Sequence, residues 1–465
     1  MLLYNVRLVD ECSDCRGALC IRDGLIHSVH QGVCAQADAR RLAAALADTE
    51  LIDGGSLVLM PSFIDMHAHF RYPGQPEKET LETGLRAAAA GGFGTLVLMP
   101  NTVPVVSSAA DALSVQRDAA AYGLADVYQS MSITAGFDGE TTAHLEEIPL
   151  DRASASFIPL VTEDGRDVAS AAVLFSAMQC CAVRGVVVSC HSEDASLALQ
   201  ARAFRRNALA LLARGGDEPC RIAENALRQA NELLALAEDT ATERNLLAAE
   251  AAGCRVHIAH VSTARALDAV RRAKRRRPAM VTCEVTPHHL ALCAESAQTL
   301  RALVNPPLRS EADRQAVIEA LCDGTVNVIA TDHAPHTAAD KAAGAPGFSG
   351  LETAFGVCCT QLVHAGHMTL CRLSRLMSAE PARILGLDRG PCPKGRLLPG
   401  YAADAVLADP DAEWSVNAAA FESRGKATPF DKALLTGKVR AVLRRGRFVY
   451  RDADAGVIDT VMRRL

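Results

Sequence analysis

The chain has 465 residues, 49% hydrophobic and 22% charged, with a net charge of -6, and so has the size and balance of a globular protein with one large domain and a smaller one. Its slight acidity excludes the basic footprint of a nucleic-acid binder, no apolar run is long enough to span a membrane, and MLLYNVRLVDECSDC lacks the pattern of a signal peptide. A cytoplasmic location is expected, and the 16 cysteines, scattered through apolar contexts, fit a reducing compartment.

Residues 1–56 read as short strands around a glycine turn, 2-LLYNVRLVD-10 and 17-GALCIRDGLIHSV-29, with 12-CSDC-15 as a surface turn. A repeated unit follows: a short apolar, β-branched run that stops at a polar residue, then an amphipathic helical stretch. The runs are 57-LVLMPSFIDMHAH-69, 96-LVLMPNT-102, 127-VYQSMSI-133, 157-FIPLVTEDG-165, 186-VVVSCHSED-194, 256-VHIAHVS-262, 280-MVTCEVTPHH-289 and 326-VNVIATDHAPH-336. Between the first two, 77-EKETLETGLRAAAAGG-92 begins acidic and ends on glycines, as a capped helix should. Eight strands alternating with helices predict an α/β fold, a (β/α)8 TIM-like barrel over 57–390. The basic run 271-RRAKRRR-277 closes a helical stretch and reads as a solvated helix end. Residues 391–465 return to strands (404-DAVLADP-410, 439-VRAVLRRGRFVYR-451), and with 1–56 they are expected to form one small β-sandwich from both chain ends.

In such barrels the strands' C-terminal ends carry the active site. Most of the chain's 14 histidines stand there with Asn101, Glu163, Asp164 and Asp332. His67 and His69, two apart, would leave a strand side by side. Together with His191, His260 and carboxylates they make a nitrogen and oxygen donor set suited to Zn2+ with room for a water, which is hydrolytic chemistry. Asp332 could bind the metal and then carry the water's proton to a leaving group. His257, on the opposite face from His260, reads as packed; His288, His289 and His333 read as supporting residues, and Asp65 as orienting the histidine pair.

The blocks 61-PSFIDMHAHFRYPG-74, 99-MPNT-102, 190-CHSED-194, 257-HIAHVST-263, 284-EVTPHHL-290, 304-VNPPLR-309, 331-TDHAPHT-337 and 350-GLET-353 resemble the cyclic amidohydrolases of the amidohydrolase superfamily. The likeness extends to 379-AEPARILGL-387, 394-KGRLLPGYAADAVLAD-409 and 428-TPF-430, so it covers nearly the whole chain. Hydantoinases and allantoinases in that superfamily bridge two metals with a carboxylated lysine, yet this sequence has no lysine between Lys78 and Lys274. In its place 161-VTEDGR-166 is similar to the Thr-Asp-Asp-Gly segment of bacterial type I dihydroorotases.

That resemblance implies a metal set of His67, His69, Asp164, His191, His260 and Asp332 with one or two Zn2+, Glu163 being the alternative to Asp164. It implies that Arg71, Asn101 and His336 hold a substrate carboxylate, that Asn305 and the backbone at Gly347 and Phe348 contact the ring, and that Asp332 is catalytic. The implied reaction is reversible opening of L-dihydroorotate to N-carbamoyl-L-aspartate in pyrimidine synthesis. A homo-oligomer, and an aspartate transcarbamoylase as a possible partner, also follow from the family; an inactive scaffold for that partner is a further alternative. Three departures stand out: the 201–246 stretch is long and helical, Tyr72 replaces a usual acid, and the Gly-rich cover 337–350 is short.

Overall fold

The computed structural model describes residues 1–46, 49–150 and 157–453. Each of the eight runs holds a barrel strand: Phe63–Ala68, Phe93–Leu98, Asp126–Gln129 continued by Met131–Ser132, Leu160–Thr162, Val187–Cys190, Val256–Ile258, Val281–Val285 and Val328–Ile329. All pair in parallel, each with its neighbour in sequence. The ring closes where Ala68 bridges His333, with the His69 amide donating to the His333 carbonyl at 2.7 Å. These strands are almost wholly buried because helices cover one side and packed side chains fill the other.

Register lines up Thr162, Ser189, His257 and Thr282 across four adjacent strands. Two positions further on, three of those strands offer Asp164, His191 and Glu284 at one level. The helix after strand one, Leu81–Ala90, starts at Thr80 with a capping box to Thr83 and ends at Gly91.

The two chain ends form one sheet in the strand order Arg447–Arg451, Leu434–Arg444, Ala405–Ser415, Val58–Pro61, Leu2–Val9, Asp14–Arg22, Leu25–Gln31. Leu3, Leu19, Ile26, Leu59, Leu407 and Leu443 from these strands share one core, so the sheet folds over itself as a sandwich. Val58–Pro61 pairs with both chain ends, which places it in the sandwich and not in the barrel where 57-LVLMP-61 was expected; Ser62 separates it from strand one. Of the expected C-terminal piece, residues 454–465 lie outside the described residues.

Between strands five and six the added stretch is a helical hairpin, Ala195–Arg214 and Asp217–Ala252, turning at Gly215 and Gly216. Its long helix is bound to the site's wall: Glu238 accepts from the amides of Ser262 and Thr263 and from Arg309. In the basic helix Ala264–Arg276, Arg271 pairs with Asp323, Arg272 with Glu243 and Arg276 with Glu250, as at a solvated helix end. No helix among the described residues is long and apolar enough to cross a membrane.

Barrel and sandwich are joined by a buried charge cluster. Lys394 lies 2.6 Å from Asp126, at the start of strand three, and 2.5 Å from Asp404 of the sandwich. Burial alone would raise the Asp126 carboxyl, but Lys394 and Arg444 outweigh it and hold it below the usual carboxylate range. Lys394→Met leaves these carboxylates short of a cation and is expected to lower stability at neutral pH by about 3–5 kcal/mol, measured by urea unfolding. Because the Asp126 carboxyl is depressed in the fold, the loss should shrink as pH falls below about 4; a variant as stable as the wild type at pH 7 would contradict this.

Candidate metal centre

The expected ligands meet at the barrel mouth, all buried. His67 Nε2 stands 3.1 Å from Asp164 Oδ1 and 3.5 Å from Asp332 Oδ1; His69 Nε2 stands 3.3 Å from Asp164 Oδ2 and 3.1 Å from Asp332 Oδ1. On the other side, His191 Nδ1 and His260 Nε2 face one another at 2.8 Å and lie 3.4 and 3.7 Å from Asp164 Oδ1. Two donor groups result, His67, His69 and Asp164, and Asp164, His191 and His260, with Asp164 common to both.

His260 lies one residue out of step with Asp164, His191 and Glu284, and its left-handed backbone (φ 31) accompanies its arrival in the cluster. Arg71 (φ 55) and Asp332 (φ 47) share that unfavourable backbone region. Strained non-glycine residues gathered at one site are a mark of function.

The residues fit a cation. His67 Nε2 and Asp164 Oδ1 are buried with no hydrogen-bond partner, and the two imidazole nitrogens facing each other cannot both present lone pairs without a proton or metal between them. Tautomers agree: His67 Nδ1 is 2.8 Å from Glu284 Oε1 and His69 Nδ1 is 2.9 Å from the Asn101 side-chain oxygen. Each ring can donate outward there and turn its other nitrogen's lone pair inward.

Electrostatics point the same way. Burial pushes the Asp164 carboxyl up, but His67, His191 and His260 outweigh it and hold it well below its usual range; Asp332 is held low by His67 and His69 in the same manner. Conversely, burial disfavours a charged His67, yet Asp164 and Asp332 draw it upward. The pocket thus attracts positive charge into a dry site.

Asp164, not Glu163, faces the histidines. Glu163 turns to strand three, where the amides of Ile133 and Thr134 donate to it at 3.0 and 2.9 Å. Asn101 is engaged at both ends, by His69 and by the Asp164 backbone and side chain at 3.3 Å. Arg71 donates from Nε to the Pro335 carbonyl and lies 3.3 Å from His336 Nε2, which leaves further guanidinium donors for a ligand. Burial, with Arg71 beside it, pushes His336 down to about 3, so this ring is neutral at pH 7. Asn305 donates to Glu193 at 2.6 Å and approaches His191. Gly347 (φ 136) packs so closely that a Cβ would strike Ala334, while Phe348 lies edge-on to His288 at 5.4 Å. The cover segment is tied down, since Lys341 donates to the carbonyls of Leu303, Ala345 and Gly347.

Three further residues matter more than the sequence suggested. Glu284 accepts from both His67 and His257, and these bonds, against burial, hold it near 2. Its signal was visible as a lone carboxylate inside an apolar strand, which needs a partner. His257 is indeed packed, between Thr282 and Glu284, but it thereby supports the His67 anchor. His288 keeps a buried Nε2 without a partner. His333 turns from the mouth to Glu79, and Asp65 ties the His67 amide to Thr331.

Residues 58–449 match the family model described as amidohydrolase family. The chain is 39% identical to a dihydroorotase from Anaeromyxobacter dehalogenans over 98% of this chain and 99% of that protein, and 35% identical to one from Clostridium botulinum over 97% and 99%. The chain belongs to the amidohydrolase family, among its dihydroorotases. Among solved structures, L-hydantoinase from Arthrobacter aurescens superposes with a TM-score of 0.79 at 25% identity, covering 97% of this chain and 96% of that one. A dihydropyrimidinase from Brevibacillus agri, 22% identical with a TM-score of 0.77 over 97% and 95% of the chains, shares the fold.

Exchanging Glu284 for Gln keeps the shape but removes the charge that orients His67. Metal affinity is expected to fall about 10–100-fold, read by chelator competition, with the fold retained; unchanged affinity would show that Glu284 does not act through the metal site.

Proposed function

We propose that this protein is a zinc-dependent dihydroorotase, with one or two ions held by His67, His69, Asp164, His191, His260 and Asp332. The observation that carries the reading is Asp164 shared between two histidine pairs, with Arg71 and neutral His336 beside them. The hydantoinase alternative needs a bridging lysine, and none occurs between Lys78 and Lys274.

Bound at these donors, zinc would polarise the scissile carbonyl and make water more acidic. The remaining work falls to the protein. Arg71 fixes the substrate carboxylate, since a guanidinium fork matches a carboxylate, and His336, whose Nε2 faces the Pro346 carbonyl at 2.9 Å, stands beside it without adding charge. Arg71 thereby sets the ring amide over the metal-facing nitrogens. Asn101 holds His69 and Asp164 in register, and Asn305, Gly347 and Phe348 close the space around the ring.

Asp332, ionised at neutral pH, accepts a proton from the attacking water and delivers it to the departing ring nitrogen. Water's oxygen bonds to the carbonyl carbon, the C–N bond breaks, and the product is N-carbamoyl-L-aspartate. Ring closure retraces these steps: Asp332 accepts a proton from the ureido nitrogen as it attacks the carboxyl carbon and returns it to the departing water oxygen.

Asp332→Asn cannot accept the proton and should lose about 100–10,000-fold in kcat for dihydroorotate ring opening. Zinc removal should abolish turnover, with recovery on re-addition, and metal content is measured alongside. Full activity in Asp332→Asn, or zinc-loaded wild type without turnover, would overturn the proposal.

A further inference from the structure

The helical hairpin between strands five and six brings a second constellation to the mouth. Arg202, Arg205 and Arg206 lie three and four positions apart on the helix Ala195–Arg214, so their side chains leave neighbouring points of one face. They line a cavity of about 400 Å3 whose far wall includes Asn305, Gly344 and Pro346. Among the described residues neither Arg202 nor Arg206 has a hydrogen-bond or ion-pair partner. Arg205 donates to the Val304 carbonyl at 3.3 Å, but its Nε is buried and unpartnered.

The lining contains one carboxylate, Glu193, and it is committed elsewhere, to Asn305 at 2.6 Å and toward His191 at 3.9 Å. Three guanidinium groups facing that single carboxylate leave an excess of positive charge. Burial, with Arg309 and Arg202 nearby, already lowers Arg205 to about 10 against the pull of Glu193. Ala198, Ala201, Leu209 and Leu234 supply an apolar side that suits a short carbon skeleton.

We propose that this cavity binds a small organic anion through a phosphate or carboxylate group, held by Arg202, Arg205 and Arg206 and joined to the metal centre through Asn305. Planar guanidinium forks suit both oxyanions. The ligand lies between the helical hairpin and residues 343–346. A phosphomonoester here is an effector separate from the reaction, whereas a dicarboxylate is the open-chain dianion of the proposed reaction held beside its site.

Calorimetry on the metal-loaded protein at fixed ionic strength separates these, with glycerol 3-phosphate as the probe in one arm and succinate in the other. At least one should bind, and Arg202→Ala combined with Arg206→Ala should weaken it at least tenfold, both positions being exposed and alanine favouring the helix. Arg221→Ala combined with Arg228→Ala, exposed on the following helix and outside the cavity, should leave binding unchanged. The tighter probe identifies the source. Absence of binding by both anions, undiminished binding in the Arg202/Arg206 variant, or an equal loss in the Arg221/Arg228 control would each overturn the proposal. Calorimetry reads binding and not turnover, so failure here is distinguishable from failure of the dihydroorotase reading.

Discussion

Asp164 sits in a dry barrel mouth among the imidazoles of His67, His69, His191 and His260, and that arrangement constrains everything around it. A buried carboxylate costs several kcal/mol unless positive charge or hydrogen bonds compensate. Here Asp164 Oδ1 and His67 Nε2 have no hydrogen-bond partner within the protein, and the facing nitrogens of His191 and His260 need a proton or a metal between them, so the cluster is built to take up positive charge. Glu284, Asn101 and Asp65 then read as supports: the first two orient His67 and His69, and Asp65 fixes the strand end against Thr331.

The same constraint separates this chain from proteins that share its fold. A hydantoinase superposes closely, yet the shared barrel decides only where a site can lie. In this chain Asn101 grips the Asp164 backbone and side chain at once, which holds that carboxylate toward the histidines. The helical hairpin adds a second support, because Glu238 holds the amides that follow His260.

The barrel was legible because its strands are short apolar runs ending in polar residues, a pattern dictated by burial on both faces. Metal-facing histidines were legible through their position at those ends. Less visible was anything set by long-range contact. The run 57-LVLMPSFIDMHAH-69 hides a change of sheet at Ser62, since both halves open on large apolar residues and only pairing with Leu2–Val9 and Ala405–Ser415 tells them apart. Glu163 and Asp164 are adjacent in sequence, and their division of labour rests on the amides of Ile133 and Thr134, which local pattern cannot reveal. Glu284 and His257 are joined across two strands for the same reason.

The central claim is that Asp164 bridges cations between two histidine pairs. Anomalous diffraction at the zinc absorption edge, from crystals grown with zinc, tests it most directly. The account predicts a peak bounded by His67, His69 and Asp164, a second between Asp164, His191 and His260 wherever that position is filled, and loss of signal in Asp164→Ala. Zinc bound elsewhere, or a peak that survives unchanged in Asp164→Ala, would contradict it.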